Sequence, residues 1–442
     1  MKITVIGAGK SGIAAALLAK KKGFKVFLTE KKPSEDCQEE IKIIQNENID
    51  YEFGKHTSEA LHNSDLVVTS PGVPPGNEII KLAEIKNIKI VSELEFAYNF
   101  LENPIIAITG TNGKTTTTTL TSFILNNSGK KAITAGNIGT PLSSLVDQID
   151  RSTILVVEAS SFQLDRIEKF KPDVAVILNI SPDHLYYHST MNNYISAKWK
   201  IFLNQNEKDL LILNADDNEL KKAAKQSRGK VAWFSLNPVN YGIFAKQGKM
   251  IARLKDNEEV IMLFDEIRIP GIHNAYNSMA AVLAARAFEI RNENIRDSLM
   301  AFQGVEHRLE FVRTIDGVDY INDSKATNVN ATWYALSSYK EPIIWIAGGR
   351  SDSNDYSILD DVVNKNVKFI IAIGEETDNI FNHFSTLKRC FKESNLVNAI
   401  VRAKEQAKPG DVVLFTPACK SFDMFINYEH RGEVFKEIVK EL

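Results

Sequence analysis

Cysteine is scarce. Cys37, Cys390 and Cys419 are all that 442 residues hold, an odd and widely spaced set that argues against a disulfide framework or a cysteine metal cluster. Long apolar runs are missing too, which excludes a bilayer-spanning helix, and no charged-then-apolar leader opens the chain. Nor does one sign of charge dominate: 53 basic against 56 acidic residues leave a formal charge of −3, too little to attract nucleic acid or an acidic membrane globally. The expectation is a soluble, reduced, cytoplasmic protein with no nucleic-acid partner and no membrane insertion, most simply a monomer. Any polyanion must be bound locally, by loops.

What is present is a rhythm. Short β-branched runs alternate with longer amphipathic stretches, the pattern of mostly parallel sheets covered by helices. The length suits three α/β domains. Strands are expected at Lys2 to Ile6, Lys25 to Leu28, Leu66 to Thr69 and Ile88 to Val91 in a Rossmann-like unit over 1–92, with a hinge near Glu93 to Pro104. A central P-loop ATPase-like unit over 93–304 takes strands at Ile105 to Ile108, Thr153 to Val157, Val174 to Leu178 and Leu210 to Leu213 and an alanine-rich helix at Ala275 to Ile290. A third unit over 305–442 takes strands at Ile343 to Ala347, Phe369 to Ile373 and Asp411 to Phe415.

Two glycine loops follow predicted strands. Gly110-Thr111-Asn112-Gly113-Lys114-Thr115-Thr116 runs from the Ile105 strand into a helix-compatible stretch, so backbone N–H groups at a helix N-terminus can cradle a triphosphate. Lys114 would neutralise phosphate oxygens and the Thr115 hydroxyl suits magnesium. The full P-loop pattern wants glycine where this chain has Ile108, so the match is to a shortened form. The other loop, Gly7 to Gly12, is a Gly-x-Gly-x-x-Gly followed by a strand ending at Glu30. It serves any diphosphate-bearing nucleotide laid across the strand ends, and Ser70-Pro71-Gly72-Val73 turns toward the same crevice.

Glu158 lies just past its strand, at the sheet edge where the phosphate loop emerges and where magnesium needs an acidic ligand. His184 follows the next strand to that edge. Lys198 sits on a helix-like stretch, Tyr194 to Phe202, and reads either as a solvated charge or, near metal, as a lysine that loses its proton and takes up carbon dioxide to become a carbamate. Cys419 is given no catalytic role.

These segments, with Gly136 to Gly139, Glu158 to Leu164, Asn179 to Leu185, His273-Asn274, His307-Arg308, Asn322 to Asn328 and Pro417 to Asp423, resemble the ATP-dependent Mur ligases of peptidoglycan synthesis over essentially the whole chain. The resemblance leans to the branch that joins D-glutamate to UDP-N-acetylmuramoyl-L-alanine, and implies Rossmann-like first and third domains around a central ATPase domain and an acyl-phosphate mechanism in cell-wall biogenesis. It implies ATP held by Gly110 to Thr116, with Asn274 near adenine and Arg308 and Asp323 at phosphate and ribose. A pair of magnesium ions is implied, Thr115 and Glu158 on the first, His184 and carbamylated Lys198 on the second. Lys10, Ser11, Glu30 and Gly72 correspond to uracil and diphosphate contacts and Asn137 to a precursor contact. Lys325 and Thr327 correspond to positions near the acyl phosphate, and Ser421 and Tyr428 to those around the amino-acid carboxylate.

One departure stands out. Asp352 lies where the glutamate-adding branch carries a basic residue, with Arg350 in the same loop and Lys420 beside Ser421 as compensating cations. A sibling ligase adding another amino acid, or a folylpolyglutamate-type ligase, is the nearest alternative. A nicotinamide oxidoreductase would explain only Gly7 to Gly12, and a noncatalytic nucleotide sensor would leave Lys198 unused.

Overall fold

A computed structural model describes all residues except 255–256 and 351–353; Asp352 therefore lies outside the described residues. The chain forms three α/β sheets within two compact units, one made of residues 1–266 and 276–301, the other of 267–275 and 302–442.

In the first unit, five parallel strands lie in the order Asp50–Phe53, Lys25–Glu30, Lys2–Ile6, Leu66–Thr69, Lys89–Ser92. Their Val, Ile and Leu side chains are buried beneath helices such as Lys10–Lys21, as a parallel sheet covered on both faces requires. Ile6 pairs with both Thr29 and Thr69, so the loops beginning at Gly7, Glu30 and Ser70 leave one edge together. Helix Lys10–Lys21 starts so close to its strand that a Cβ on Gly12 would lie 1.8 Å from the Gly7 carbonyl oxygen.

The second sheet of this unit has nine strands. Seven parallel strands run Gly242–Lys246, Lys230–Ser235, Leu210–Asn214, Val174–Ile177, Ile105–Thr109, Ile154–Glu158, Ala132–Gly136, and antiparallel Lys249–Arg253 and Glu259–Leu263 extend the first edge. Ile105–Thr109 sits between Ile154–Glu158 and Val174–Ile177, so loops from all three strands share the edge where open α/β sheets bind ligands.

The expected hinge is instead a fastened joint. Residues Glu93–Tyr98 are helical, capped by Ser92, and Glu93 and Glu95 are buried. Glu95 accepts the backbone N–H groups of Glu168, Lys169 and Phe170 at 3.0, 2.8 and 2.9 Å, and Glu93 accepts that of Ser143 at 2.6 Å. An apolar core runs unbroken from Ile3 and Val5 through Leu94 and Phe96 to Ile105 and Leu155. A charged linker sequence reads as solvated, but these carboxylates replace hydrogen bonds that the joined backbone would otherwise lack.

The other unit contains six strands in the order Glu310–Ile315, Val318–Asn322, Val412–Phe415, Ile343–Gly348, Val367–Ile373, Cys390–Lys392, parallel except for the first pair. Phe415 pairs with Asn322 and Ile346, which brings the loops after Asn322, Gly348 and Phe415 to one edge.

Candidate active site

The phosphate loop joins Ile105–Thr109 to helix Lys114–Asn127, and Gly113 takes φ +85° at the helix start, a left-handed conformation that favours glycine. Asn179 braces the shortened loop: its Oδ1 accepts from Thr111 N at 3.1 Å and Asn112 N at 2.9 Å, and its Nδ2 donates to Asn112 O at 3.0 Å. The Thr111 hydroxyl meets Tyr194 Oη at 3.0 Å. Lys114 Nζ donates to the carbonyls of Gly110 and Thr111 at 3.0 and 2.8 Å. Thr115 is partly exposed in the first helical turn, and Thr116 is buried.

Glu158 ends its strand only 2% exposed. Its Oε1 accepts from Asn137 Nδ2 at 2.8 Å, while Oε2 has no hydrogen-bond partner among the described residues. A buried carboxylate oxygen left so is costly unless a cation meets it, so the site fits a magnesium ligand. Lys198, on helix Met191–Leu203, is 1% exposed. Its Nζ donates to Gly110 O at 2.8 Å and lies 4.6 Å from the Tyr194 ring centroid. Burial first, then the charge of Lys114, holds this lysine well below its ordinary pKa, with Asp183 and Glu158 opposing. A neutral amine is the form that reacts with carbon dioxide, so the environment also fits a carbamate.

His184 adopts φ +54° just before the short helix Leu185–His188, with Nε2 3.5 Å from Asp183 and its ring 4.8 Å from that of Phe162. The same ring cluster contains His188, buried and bonded through Nε2 to Ser161 Oγ at 2.9 Å. Burial lowers the His188 pKa, which makes it the core histidine of the pair.

At the edge of the first sheet, a pocket of about 410 Å³ is lined by Lys10, Ser11, Glu30 and Gly72, all expected there, and also by Lys31, Lys32 and His56. Glu30 is largely occupied in shaping the loop, since its carboxylate accepts from Ala8 N at 2.6 Å and Lys32 N at 2.9 Å.

In the unit of 267–275 and 302–442, Asp323 is buried and accepts from Thr416 Oγ1 at 2.9 Å and Leu309 N at 3.1 Å. Burial raises its pKa to about 6, against the pull of Arg308. Asn274 Nδ2 donates to Pro270 O at 2.7 Å, and neighbouring His273 is pushed down to about 3 by burial and by Arg308. Lys325 Nζ stands 5.1 Å from the Tyr428 ring centroid, and Thr327 N donates to Lys325 O at 3.0 Å. Ser421 is buried. Arg350 N donates to Lys420 O at 2.8 Å, so those residues lie side by side, and the Arg350 guanidinium pairs with Glu375 at 3.2 Å. Cys419 is fully buried and its thiol is pushed up to about 12, consistent with no nucleophilic role.

Sequence reasoning missed Arg431. It is 1% exposed and donates to Ser324 Oγ, Ser324 O and Cys419 O at 3.0, 2.7 and 3.0 Å, tying the Lys325 and Ser421 loops to one helix. A lone arginine in a helical stretch carries no signal of this. For Asn179 the signal existed, a polar residue at a strand end facing a glycine loop.

Known proteins match this arrangement from end to end. The Mur ligase MurD-like N-terminal domain matches residues 1–92, the Mur ligase middle domain 108–285, and the Mur ligase glutamate ligase domain 307–419. The UDP-N-acetylmuramoylalanine--D-glutamate ligase of Salinibacter ruber is 43% identical, covering 100% of this chain and 98% of the relative. The protein of that name from Koribacter versatilis is 41% identical over 100% and 97%. The solved UDP-N-acetylmuramate-alanine ligase of Thermotoga maritima superposes with a TM-score of 0.62 at 20% identity, covering 100% and 99% of the two chains. With full-length identity above 40% and its domain matches in chain order, the chain belongs to the Mur ligase family.

Proposed function

We propose that this chain is the ATP-dependent ligase that joins D-glutamate to UDP-N-acetylmuramoyl-L-alanine, acting in the cytoplasm as a monomer with domains divided at residues 92/93 and 304/305. The observation that carries the reading is a buried lysine, its pKa held well below the ordinary value, that donates to the phosphate loop at Gly110 O and is electrostatically coupled to a carboxylate with an oxygen unpartnered among the described residues. Neither an oxidoreductase nor a passive nucleotide sensor has use for that pair.

In this reading the terminal carboxylate of the precursor attacks the γ-phosphorus of ATP, giving an acyl phosphate and ADP. The amine of D-glutamate then attacks the acyl carbon and expels phosphate. Gly110 to Thr116 position the triphosphate, and Lys114 moves its N–H groups from loop carbonyls to phosphate oxygens. Thr115 and Glu158, and His184 with a carbamylated Lys198, would hold magnesium, which would supply charge compensation for the phosphates when bound. Asn137 orients Glu158 and contacts the precursor. Asn274, Arg308 and Asp323 serve the nucleotide, Lys325 and Thr327 the acyl phosphate, and Ser421 and Tyr428 the amino-acid carboxylate.

For the side-chain carboxylate of D-glutamate, Lys420 is assigned the role of cation, because it adjoins Ser421 and its backbone pairs with Arg350 of the loop that carries Asp352. Lys420→Ala is expected to raise the KM for D-glutamate by about tenfold, as for loss of a charge-assisted hydrogen bond; an unchanged KM rejects the assignment. The reading as a whole is tested by phosphate release with ATP, magnesium and UDP-N-acetylmuramoyl-L-alanine across a panel of amino acids. Stimulation by D-glutamate alone is expected. Stimulation by another amino acid reassigns the acceptor, and none at all overturns the ligase.

A further inference from the structure

We propose that His56 reads the nucleobase of the precursor, accepting the ring N–H of uracil and thereby rejecting cytosine. The inference rests on the first-sheet pocket binding a UDP-linked substrate, and deepens that reading by naming what selects the base.

The tautomer follows from a chain of hydrogen bonds. Thr29 is fully buried, and its hydroxyl donates to Glu52 Oε1 at 2.6 Å. That carboxylate also accepts from Thr57 N at 2.9 Å and Thr57 Oγ1 at 2.6 Å. A hydroxyl has one proton and an ionised carboxylate has none to give. The 2.8 Å contact between Thr29 Oγ1 and His56 Nδ1 therefore requires the proton on Nδ1. Nε2 is left with a lone pair. It makes no hydrogen bond among the described residues, and the ring lines the pocket. Burial lowers the pKa of this histidine; Glu30 and Glu52 oppose that shift and Lys31 adds to it. Lys10 and Lys32 also line the pocket. Through neutral pH the group is an acceptor.

The topology puts the base at this end. Gly7, Gly9 and Ser11 offer a helix N-terminus to the diphosphate at the central strand. The sheet meets the catalytic half of the unit at its opposite edge, through Lys89–Ser92 and helix Glu93–Tyr98. The reacting end of the precursor must run that way, so the base runs the other way, past Glu30 to the strand Asp50–Phe53 that precedes His56. Two strand spacings, about 10 Å, separate the diphosphate loop from that edge. Uracil presents a ring N–H between its carbonyls, and cytosine presents a lone pair there, which would face the lone pair of Nε2.

The test is calorimetric binding of UDP and CDP to the full chain, with KM for the UDP-linked substrate alongside. Wild type is expected to favour UDP by about tenfold or more, the value of one well-placed hydrogen bond against an unpaired acceptor. His56→Leu is expected to bring the ratio to within about twofold, by weakening UDP and not CDP, and to raise KM more than it lowers kcat. His56→Gln keeps an acceptor and is expected to retain preference. Acidification that protonates His56 turns Nε2 into a donor, so the wild-type ratio is expected to fall at low pH while that of His56→Leu stays flat. A leucine variant with the wild-type ratio overturns the proposal. A ratio lost in that variant supports it even if no amino acid stimulates phosphate release, a result that would sink only the ligase reading.

Discussion

Lys198→Ala is expected to lower amino-acid-dependent phosphate release by about 10²–10³-fold, the scale seen when one preorganised electrostatic group is removed from an active site. Lys198 is not a surface charge: it is 1% exposed, bonded to Gly110 O, and depressed in pKa by burial. In the proposed mechanism its deprotonated nitrogen would add to the carbon of carbon dioxide, and the released proton would pass to solvent, leaving an anionic carbamate. A short carboxylate such as formate, added to Lys198→Ala, supplies the same oxygens and is expected to restore part of the rate. Lys198→Arg keeps a cation that cannot be deprotonated and is expected to be inactive with or without formate. Lys198 also anchors the phosphate loop, so ATP binding is measured in parallel. Rescue by formate separates the lost carboxylate from a disturbed loop. Activity of Lys198→Ala within threefold of wild type would remove the carbamate from the mechanism.

Glu95→Ala is expected to destabilise the chain by about 2–4 kcal/mol in urea unfolding, the cost of taking the acceptor from several backbone N–H donors at once. Three backbone N–H groups, of Glu168, Lys169 and Phe170, end on this one carboxylate. Alanine removes the acceptor from all three groups, and the N–H of Phe170 is buried. Glu95→Gln keeps one carbonyl oxygen but turns an NH₂ toward donors, so it is expected to recover only part of the loss. Because the segment fastens the five-stranded sheet to the nine-stranded one, KM for the UDP-linked substrate of the proposed reaction is expected to rise as well. A loss below about 1 kcal/mol would mean that water satisfies these groups and that the joint is looser than its burial indicates.

Legibility followed distance along the chain. The strand at Ile105 to Ile108, the glycine turn and the helix after Lys114 are local features, and all formed as expected, with the strand at Ile105–Thr109. Both Rossmann-like sheets announced themselves through buried β-branched runs. The strands Gly242–Lys246, Lys249–Arg253 and the edge strand Glu259–Leu263 did not, because short runs that mix lysine, arginine or glutamate with apolar residues give no clear pattern. Glu158, His184 and Lys198 were singled out as candidates through motifs, whereas the bracing role of Asn179 and the clamp made by Arg431 went unread. Each acts on a loop 67 or more residues away, or on two separate loops.

By itself, then, the sequence determined the αβ alternation, the two glycine loops and which candidate groups follow the strands to the phosphate-loop edge, because propensity and turn geometry are local. Only tertiary structure decided their protonation and partners. Whether Lys198 is charged, which nitrogen of His56 holds the proton, and whether Glu93 to Pro104 bends or is fixed depend on burial and on hydrogen bonds to distant backbone. Desolvation exists only once the chain has folded around the group.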